Sequence, residues 1–165
     1  MIYRSLGVLF SDPGITIAFG EFHENAGKWS VELKANESYP TVAINPLIGE
    51  FIEKNNLQYQ VALVTIHSDT MNSIFNGASI AASTGLPVIT DLNAIDIELN
   101  GNGDFYRSTS AKLGMVREKL DDIDKATCIA LMGILRWREE YNFLSSITGA
   151  SRNSIGGAIW LGQEG

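Results

Sequence analysis

The stretch IYRSLGVLFSDPGITIAFGEF, residues 2–22, decides the fold because it holds two apolar runs joined by turn-forming residues. The four residues 11–14, Ser-Asp-Pro-Gly, favour a tight turn, and residues 2–10 and 15–22 on either side are rich in strand-forming side chains. The pattern predicts a β-hairpin. Residues 29–35 then alternate apolar and polar side chains, which predicts a third strand. The three strands are expected to form an antiparallel meander with one solvent-exposed face.

The next part of the chain alternates helices with strands. Asn45 followed by Pro46 is typical of a helix start, and the apolar side chains that follow predict a helix that covers the sheet. The run VALVTI, residues 61–66, shows no alternation and predicts a strand buried on both faces. A helical pattern from residue 71 to residue 82 ends before Gly85, and residues 86–89 predict a short further strand.

This order of elements, β-β-β-α-β-α-β followed by C-terminal helices, predicts an α/β protein with the ribonuclease H-like fold. A length of 165 residues suits one domain. Residues 111–140 predict mainly helix, with Asp124 as the cap of the last one. That helix is apolar nearly all round between Ala126 and Trp137, so we expect it to be buried on more than one side.

Charge and cysteine content narrow the expected function classes. A formal net charge of -7 opposes contact with phosphate backbones and anionic lipids, so neither nucleic acid nor a membrane is an expected partner. The single cysteine, Cys128, cannot form an internal disulfide, and no leader or membrane-spanning pattern occurs, so we expect a cytoplasmic protein. The two histidines lie far apart, and the sequence shows no recognisable metal-ligand cluster.

Three segments resemble the anhydro-N-acetylmuramic acid kinase family, cytoplasmic enzymes that phosphorylate a sugar of cell-wall (peptidoglycan) recycling. They are IFNGASIAASTGLPVITDLNAIDIELNGNGDF (74–105), LMGILRWREEYNFLSSITGASRNSIGGAIW (131–160) and LGVLFSDPGITIAFGEF (6–22). The resemblance implies that residues 1–165 form one ribonuclease H-like domain, similar to the N-terminal lobe plus the C-terminal segment of these actin-like sugar kinases.

The resemblance also implies a set of vestigial ligand-binding residues and no catalytic residue. These candidates are Ser11, Asp12, Gly14, His67, Thr70, Asp91, Asp96, Gly101, Gly103 and Arg152. Each has a simpler interpretation beside the functional one, as a turn residue, a cap, a packed side chain or half of an ion pair.

The same resemblance implies that the chain is not a working kinase. The family's D-T-G-P-G-N segment, with its proposed catalytic aspartate, is absent, and Pro13 removes an amide proton where a phosphate loop needs one. We therefore expect a non-catalytic binding or regulatory domain, a pseudokinase. A homodimer through the C-terminal helix 124–140 and a small sugar ligand are the expected partners.

Two alternatives stay open. One is residual sugar kinase activity, with ATP and magnesium, in a homodimer whose second chain replaces the missing lobe. The other is a ribonuclease H-type nuclease, because that fold can hold two metal ions between carboxylates. The candidate metal ligands of such a nuclease are Asp12, Glu50, Asp69 and Asp91.

Overall fold

The computed structural model describes residues 1–11, 14–40, 44–67, 81–82, 84–90, 105–115 and 119–148. The strands are β1 (Ile2–Ser11), β2 (Gly14–Asn25), β3 (Lys28–Tyr39), β4 (Leu63–His67) and β5 (Val88–Ile89). The helices are α1 (Ile44–Lys54), α2 (Phe105–Lys112) and α3 (Asp122–Thr148). Most of the helix expected at residues 71–82 lies outside the described residues, although Gly85 has the positive φ of 70° expected at a helix end.

The five strands form one sheet in the order β3-β2-β1-β4-β5. Strand β2 pairs antiparallel with both β1 and β3, whereas β4 is parallel to β1 and β5 is parallel to β4. A three-stranded meander extended by two parallel strands on the far side of β1 is the ribonuclease H-like topology. The predicted fold class is therefore confirmed.

The two hairpins follow from their turn residues. Ser11 pairs with Gly14, so two residues separate β1 from β2, as the Ser-Asp-Pro-Gly run predicts. Ala26 and Gly27 join β2 to β3 with φ values of 53° and 80°, the positive values that a mirror-image hairpin turn requires. Because β2 continues to Asn25 and β3 begins at Lys28, this second turn consists of two residues.

Helix α1 covers one face of the sheet, as its apolar spacing predicts. Its side chains pack into the larger core with residues of β1, β2 and β4, and Ile48 and Phe51 are fully buried. Burying two side chains of this size contributes about 3 to 6 kcal/mol before the entropy of ordering them is subtracted. The helix thereby holds the meander and the first parallel strand together.

Helix α3 covers the opposite face, where two glycines let its backbone approach the strands. A Cβ on Gly7 of β1 would lie 2.8 Å from the backbone nitrogen of Ala130 and closer still to the carbonyl oxygen of Ala126. A Cβ on Gly133 would overlap the side chain of Thr65 in β4. These contacts place α3 directly on β1 and β4 and so fix where its first turns lie.

The apolar residues in the first half of α3 are buried within the protein. Its apolar side chains pack against the sheet and α2, which confirms that the helix is buried on more than one side. The buried residues are Ala126, Cys128, Ile129, Ala130, Leu131, Met132 and Ile134. The homodimer expected through helix 124–140 stays a prediction that these contacts do not test. Within the described residues, no helix is long and apolar enough to cross a membrane.

Arg138 ties the same helix to the hairpin between β2 and β3. Its guanidinium forms an ion pair with Glu24 and lies 5.6 Å from the ring centroid of Trp29 and 6.0 Å from that of Tyr3. A guanidinium at such distances is attracted to the faces of both rings. Helix α3 is thus anchored at two places, by Gly7 and Gly133 and by Arg138.

The thiol of Cys128 should be inert in the folded protein. Burial, together with the negative charge of Asp124, raises the pKa of Cys128 to about 12. Since the thiolate is the reactive species, almost none of it exists at pH 8. We expect Ellman's reagent to label the protein at pH 8 only after urea unfolds it. Fast labelling of the native protein would show that α3 opens easily from the sheet.

Candidate functional site

The carboxyl ends of β1 and β4 meet at one edge of the sheet. Leu9 of β1 pairs with His67, the last residue of β4. Thr65 lies beneath Gly133 of α3, and because side chains two residues apart share a face, His67 also faces the α3 side. In open α/β sheets, ligands bind beyond the carboxyl ends of the strands, so this edge is where a site is expected.

Three aspartates at the start of α3 lie toward this edge. Leu9 packs with Ala126 and Ile129, while Arg138 lies at the opposite end of β1, so the helix N-terminus points to the carboxyl ends of the strands. The aspartates are Asp121, Asp122 and Asp124. The positive end of the helix dipole stabilises negative charge at this position.

Two of these aspartates also cap the helix. Asp121 Oδ1 accepts a hydrogen bond from the backbone N–H of Asp124 at 2.7 Å, and Asp124 Oδ2 accepts one from the N–H of Asp121 at 3.2 Å. This reciprocal pair is a capping box, with Asp121 at the cap and Asp124 three residues later. The predicted cap, Asp124, is therefore one half of the pair.

Tyr106 of α2 joins the end of β4 to the first turns of α3. Its ring meets the ring of His67 edge-on, with centroids 6.1 Å apart and an interplanar angle of 86°. The ammonium of Lys125 lies 5.7 Å from the centroid of the same ring. We call the group at this edge the strand-end site; it comprises His67, Tyr106, Asp121, Asp122, Asp124 and Lys125.

The donor atoms of the strand-end site fit a divalent metal ion by type. Carboxylate oxygens suit Mg²⁺ and Mn²⁺, and an imidazole nitrogen is a common ligand of the transition metals. Among the described residues, however, three ligand atoms lie within 4.8 Å of one another only at Glu21, His23 and Glu32. The strand-end site would therefore need a further ligand, and Asp12 follows Ser11, the last residue of β1, in the sequence.

The cluster of Glu21, His23 and Glu32 is already neutralised by cations. It lies near the amino end of β1, where Arg4 Nε is 2.9 Å from Glu21 Oε2. Lys34 Nζ is 2.7 Å from Glu32 Oε1 and 3.6 Å from Glu21 Oε1. Burial raises the pKa of Glu21, but the hydrogen bonds and charges of Arg4 and Lys34 outweigh it and lower the pKa overall. A metal ion would have to displace two cations here, so we assign no site to this cluster.

Only three of the candidate residues proposed from the sequence are described. Ser11 and Gly14 face each other at the first hairpin, and His67 lies in the strand-end site. The other candidates lie outside the described residues: Asp12, Thr70, Asp91, Asp96, Gly101, Gly103 and Arg152. Of the nuclease candidates, Glu50 is exposed on α1, and Asp69 is also outside.

Sequence reasoning missed the functional meaning of the aspartates. Asp124 was considered only as a helix cap, and Asp121 and Asp122 were not selected. The signal was present, because three aspartates within four residues stand at the start of a helix that is apolar nearly all round from Ala126 to Trp137. That these residues lie beside the ends of β1 and β4 depends on tertiary packing, which the local sequence does not reveal.

Comparisons with known proteins found similarity only in structure. No family model matches the chain, and no curated protein matches it. One similar solved structure is RuvC of T. thermophilus in complex with a Holliday junction substrate, with 12% identity, coverage of 84% of this chain and 96% of that chain, and a TM-score of 0.49. The resolvase of Fowlpox virus with Holliday junction DNA has 16% identity, coverage of 82% of this chain and 99% of that chain, and a TM-score of 0.45. A second structure of the Fowlpox virus Holliday junction resolvase has 15% identity, coverage of 85% of this chain and 99% of that chain, and a TM-score of 0.39.

These findings correct the expected family. Membership of the anhydro-N-acetylmuramic acid kinase family is wrong, because no family model matches and the similar solved structures are Holliday junction resolvases. The interpretations that depended on it, a pseudokinase or a residual sugar kinase, are wrong with it. The exclusion of nucleic acid is also contradicted. That exclusion relied on the net charge of the whole chain, an average that hides where the charges lie.

Proposed function

We propose that this protein is a nuclease that hydrolyses phosphodiester bonds at the strand-end site. The observation that carries the proposal is the position of Asp121, Asp122 and Asp124 beside the carboxyl ends of β1 and β4 in a ribonuclease H-like sheet. Carboxylates grouped at this edge suit the binding of divalent cations.

Hydrolysis requires an attacking water, a proton acceptor and positive charge near the phosphate oxygens. A divalent ion held by the aspartates would polarise the phosphate and activate the water. The protein's own residues complete the chemistry. His67 supplies an imidazole at the end of β4, and Tyr106 meets its ring edge-on. Lys125 brings a positive charge that a phosphate oxygen can meet.

A cleavage assay tests the proposal directly. The substrates are an RNA–DNA hybrid, duplex DNA, single-stranded DNA and a four-way DNA junction, the substrate named for two of the similar structures. Each is incubated with the protein in Mg²⁺, in Mn²⁺ or in excess EDTA. We expect at least one substrate to be cut with a metal ion and none in EDTA. If no substrate is cut with either ion, the protein is not a nuclease of this kind.

A further inference from the structure

Positive charge is concentrated in the part of the chain that contains α2 and α3 as far as Arg138. Residues 105–138 hold seven of the twelve lysines and arginines but only four of the nineteen acidic residues, a local excess of three positive charges. The seven are Arg107, Lys112, Arg117, Lys119, Lys125, Arg136 and Arg138. The chain as a whole has a net charge of -7, so this excess is a property of one region.

The cations of the sheet and of α1 are mostly used within the protein. Arg4 pairs with Glu21, Lys34 with Glu32, and Lys54 with Glu37. An ion pair of this kind cancels most of the field that either charge would project into the solvent. These cations therefore offer little to an approaching anion.

Three lysines at the end of α2 and around the start of α3 differ from these. Lys112 and Lys119 are exposed and form no ion pair with any residue in the described part of the chain. Lys125 is partly exposed, and its ammonium lies over the ring of Tyr106. No ion pair therefore cancels the field of Lys112 and Lys119, and the aspartates at the start of α3 offset only part of it.

The positions of two of these lysines tie them to the aspartates. Lys119 lies two residues before Asp121, and Lys125 directly follows Asp124. The aspartates alone would repel a phosphate, and lysines on both sides reduce that repulsion. Lys112, at the end of α2, extends the positive surface along the helix that also carries Tyr106.

We propose that Lys112, Lys119 and Lys125 form a cationic face that binds the phosphodiester backbone of a nucleic acid and guides it to the strand-end site. The proposal rests on the proposed function for the identity of the substrate. Charge complementarity favours this partner, because a nucleic acid presents regularly spaced negative charges along its length.

The test measures binding without cleavage. Duplex DNA labelled with a fluorophore is titrated with protein in EDTA at several KCl concentrations, and log Kd is plotted against log salt. The variant carries Lys112→Gln and Lys119→Gln, and the matched control carries Lys28→Gln, an exposed lysine that begins β3. We expect the double variant to bind more weakly, with a salt slope smaller by about 0.9 for each lysine that contacts a phosphate, and the control to match the wild type.

Several outcomes would overturn the proposal. It is wrong if the wild type binds no nucleic acid at low salt, or if the double variant keeps the wild-type slope. It is also wrong if Lys28→Gln weakens DNA binding as much as the double variant does. The same holds if the double variant binds DNA like the wild type but binds vesicles with anionic lipid more weakly. Because the assay contains EDTA, it separates the two proposals. If the double variant has a smaller salt slope but the wild type cleaves no substrate with a metal ion, the cationic face is supported and the nuclease is rejected. If the wild type cleaves a substrate but the salt slope of the double variant is unchanged, the nuclease is supported and the cationic face is rejected.

Discussion

Replacement of Asp124 by asparagine is expected to lower the rate of DNA or RNA cleavage by about 100-fold or more. The amide has nearly the shape of the carboxylate but lacks the negative charge that would hold a divalent cation. Its oxygen can still accept the hydrogen bond from the N–H of Asp121 that Asp124 Oδ2 now accepts. The loss should therefore appear in catalysis more than in folding. Single-turnover cleavage rates measure it, and thermal unfolding of the same samples checks the fold.

The neighbouring aspartates and a distant glutamate complete this experiment. Asp121→Asn and Asp122→Asn are measured in parallel, and asparagine is as good a helix cap as aspartate, so Asp121→Asn keeps the cap. Glu50→Gln, an exposed acid on α1, is the matched control and should cleave at the wild-type rate. If all three aspartate variants cleave within about threefold of the wild type, the strand-end site is not where cleavage occurs.

Alanine at Gly7 is expected to reduce the free energy of unfolding by about 3 kcal/mol. The new methyl group would clash with backbone atoms of Ala126 and Ala130. Backbone atoms cannot avoid the clash by a change of rotamer, as the end of a flexible side chain can. Relief requires α3 to move away from β1, which would also displace the aspartates at its start. Urea unfolding measures the stability loss, and cleavage by the folded fraction should fall with it.

Gly49 provides the control for this substitution. It lies within α1, and a Cβ added there would have no atom within 4 Å. Gly49→Ala should therefore stabilise the protein by about 0.5 to 1 kcal/mol, because alanine loses less entropy than glycine in a helix. A Gly7→Ala protein as stable as the wild type would mean that α3 does not lie as close to β1 as described here.

The strands and hairpins were predictable because their signals are local. Turn residues, alternation at 29–35 and the unbroken apolar run at 61–66 each indicate one element without reference to the rest of the chain. Helix α2 was predicted poorly, since the expected helical region began at residue 111. Its sequence FYRSTSAK contains three serine or threonine residues, which favour a helix weakly on their own. Packing stabilises it, with Thr109 and Ser110 buried.

The site was less predictable than the fold. His67 was selected, and the structure places it in the strand-end site, but the three aspartates meet it only through the packing of α3 on β1. The kinase resemblance relied on short glycine and aspartate patterns, most of which lie outside the described residues, and such patterns recur in unrelated turns. Net charge led to the wrong exclusion of nucleic acid for a different reason. A single sum does not distinguish the ion-paired cations of the sheet and α1 from the lysines at the end of α2 and around the start of α3.

The anchoring of α3 by Arg138 has a mechanical consequence for the strand-end site. Fourteen residues separate Asp124 from Arg138, which corresponds to roughly 20 Å along a helix. Gly7 holds the first turns of α3 against β1, and the Arg138 contact gives the helix a second fixed point at its far side. In the proposed nuclease, an arginine, a glutamate and two aromatic rings far from the strand-end site would thus help to keep the aspartates in position.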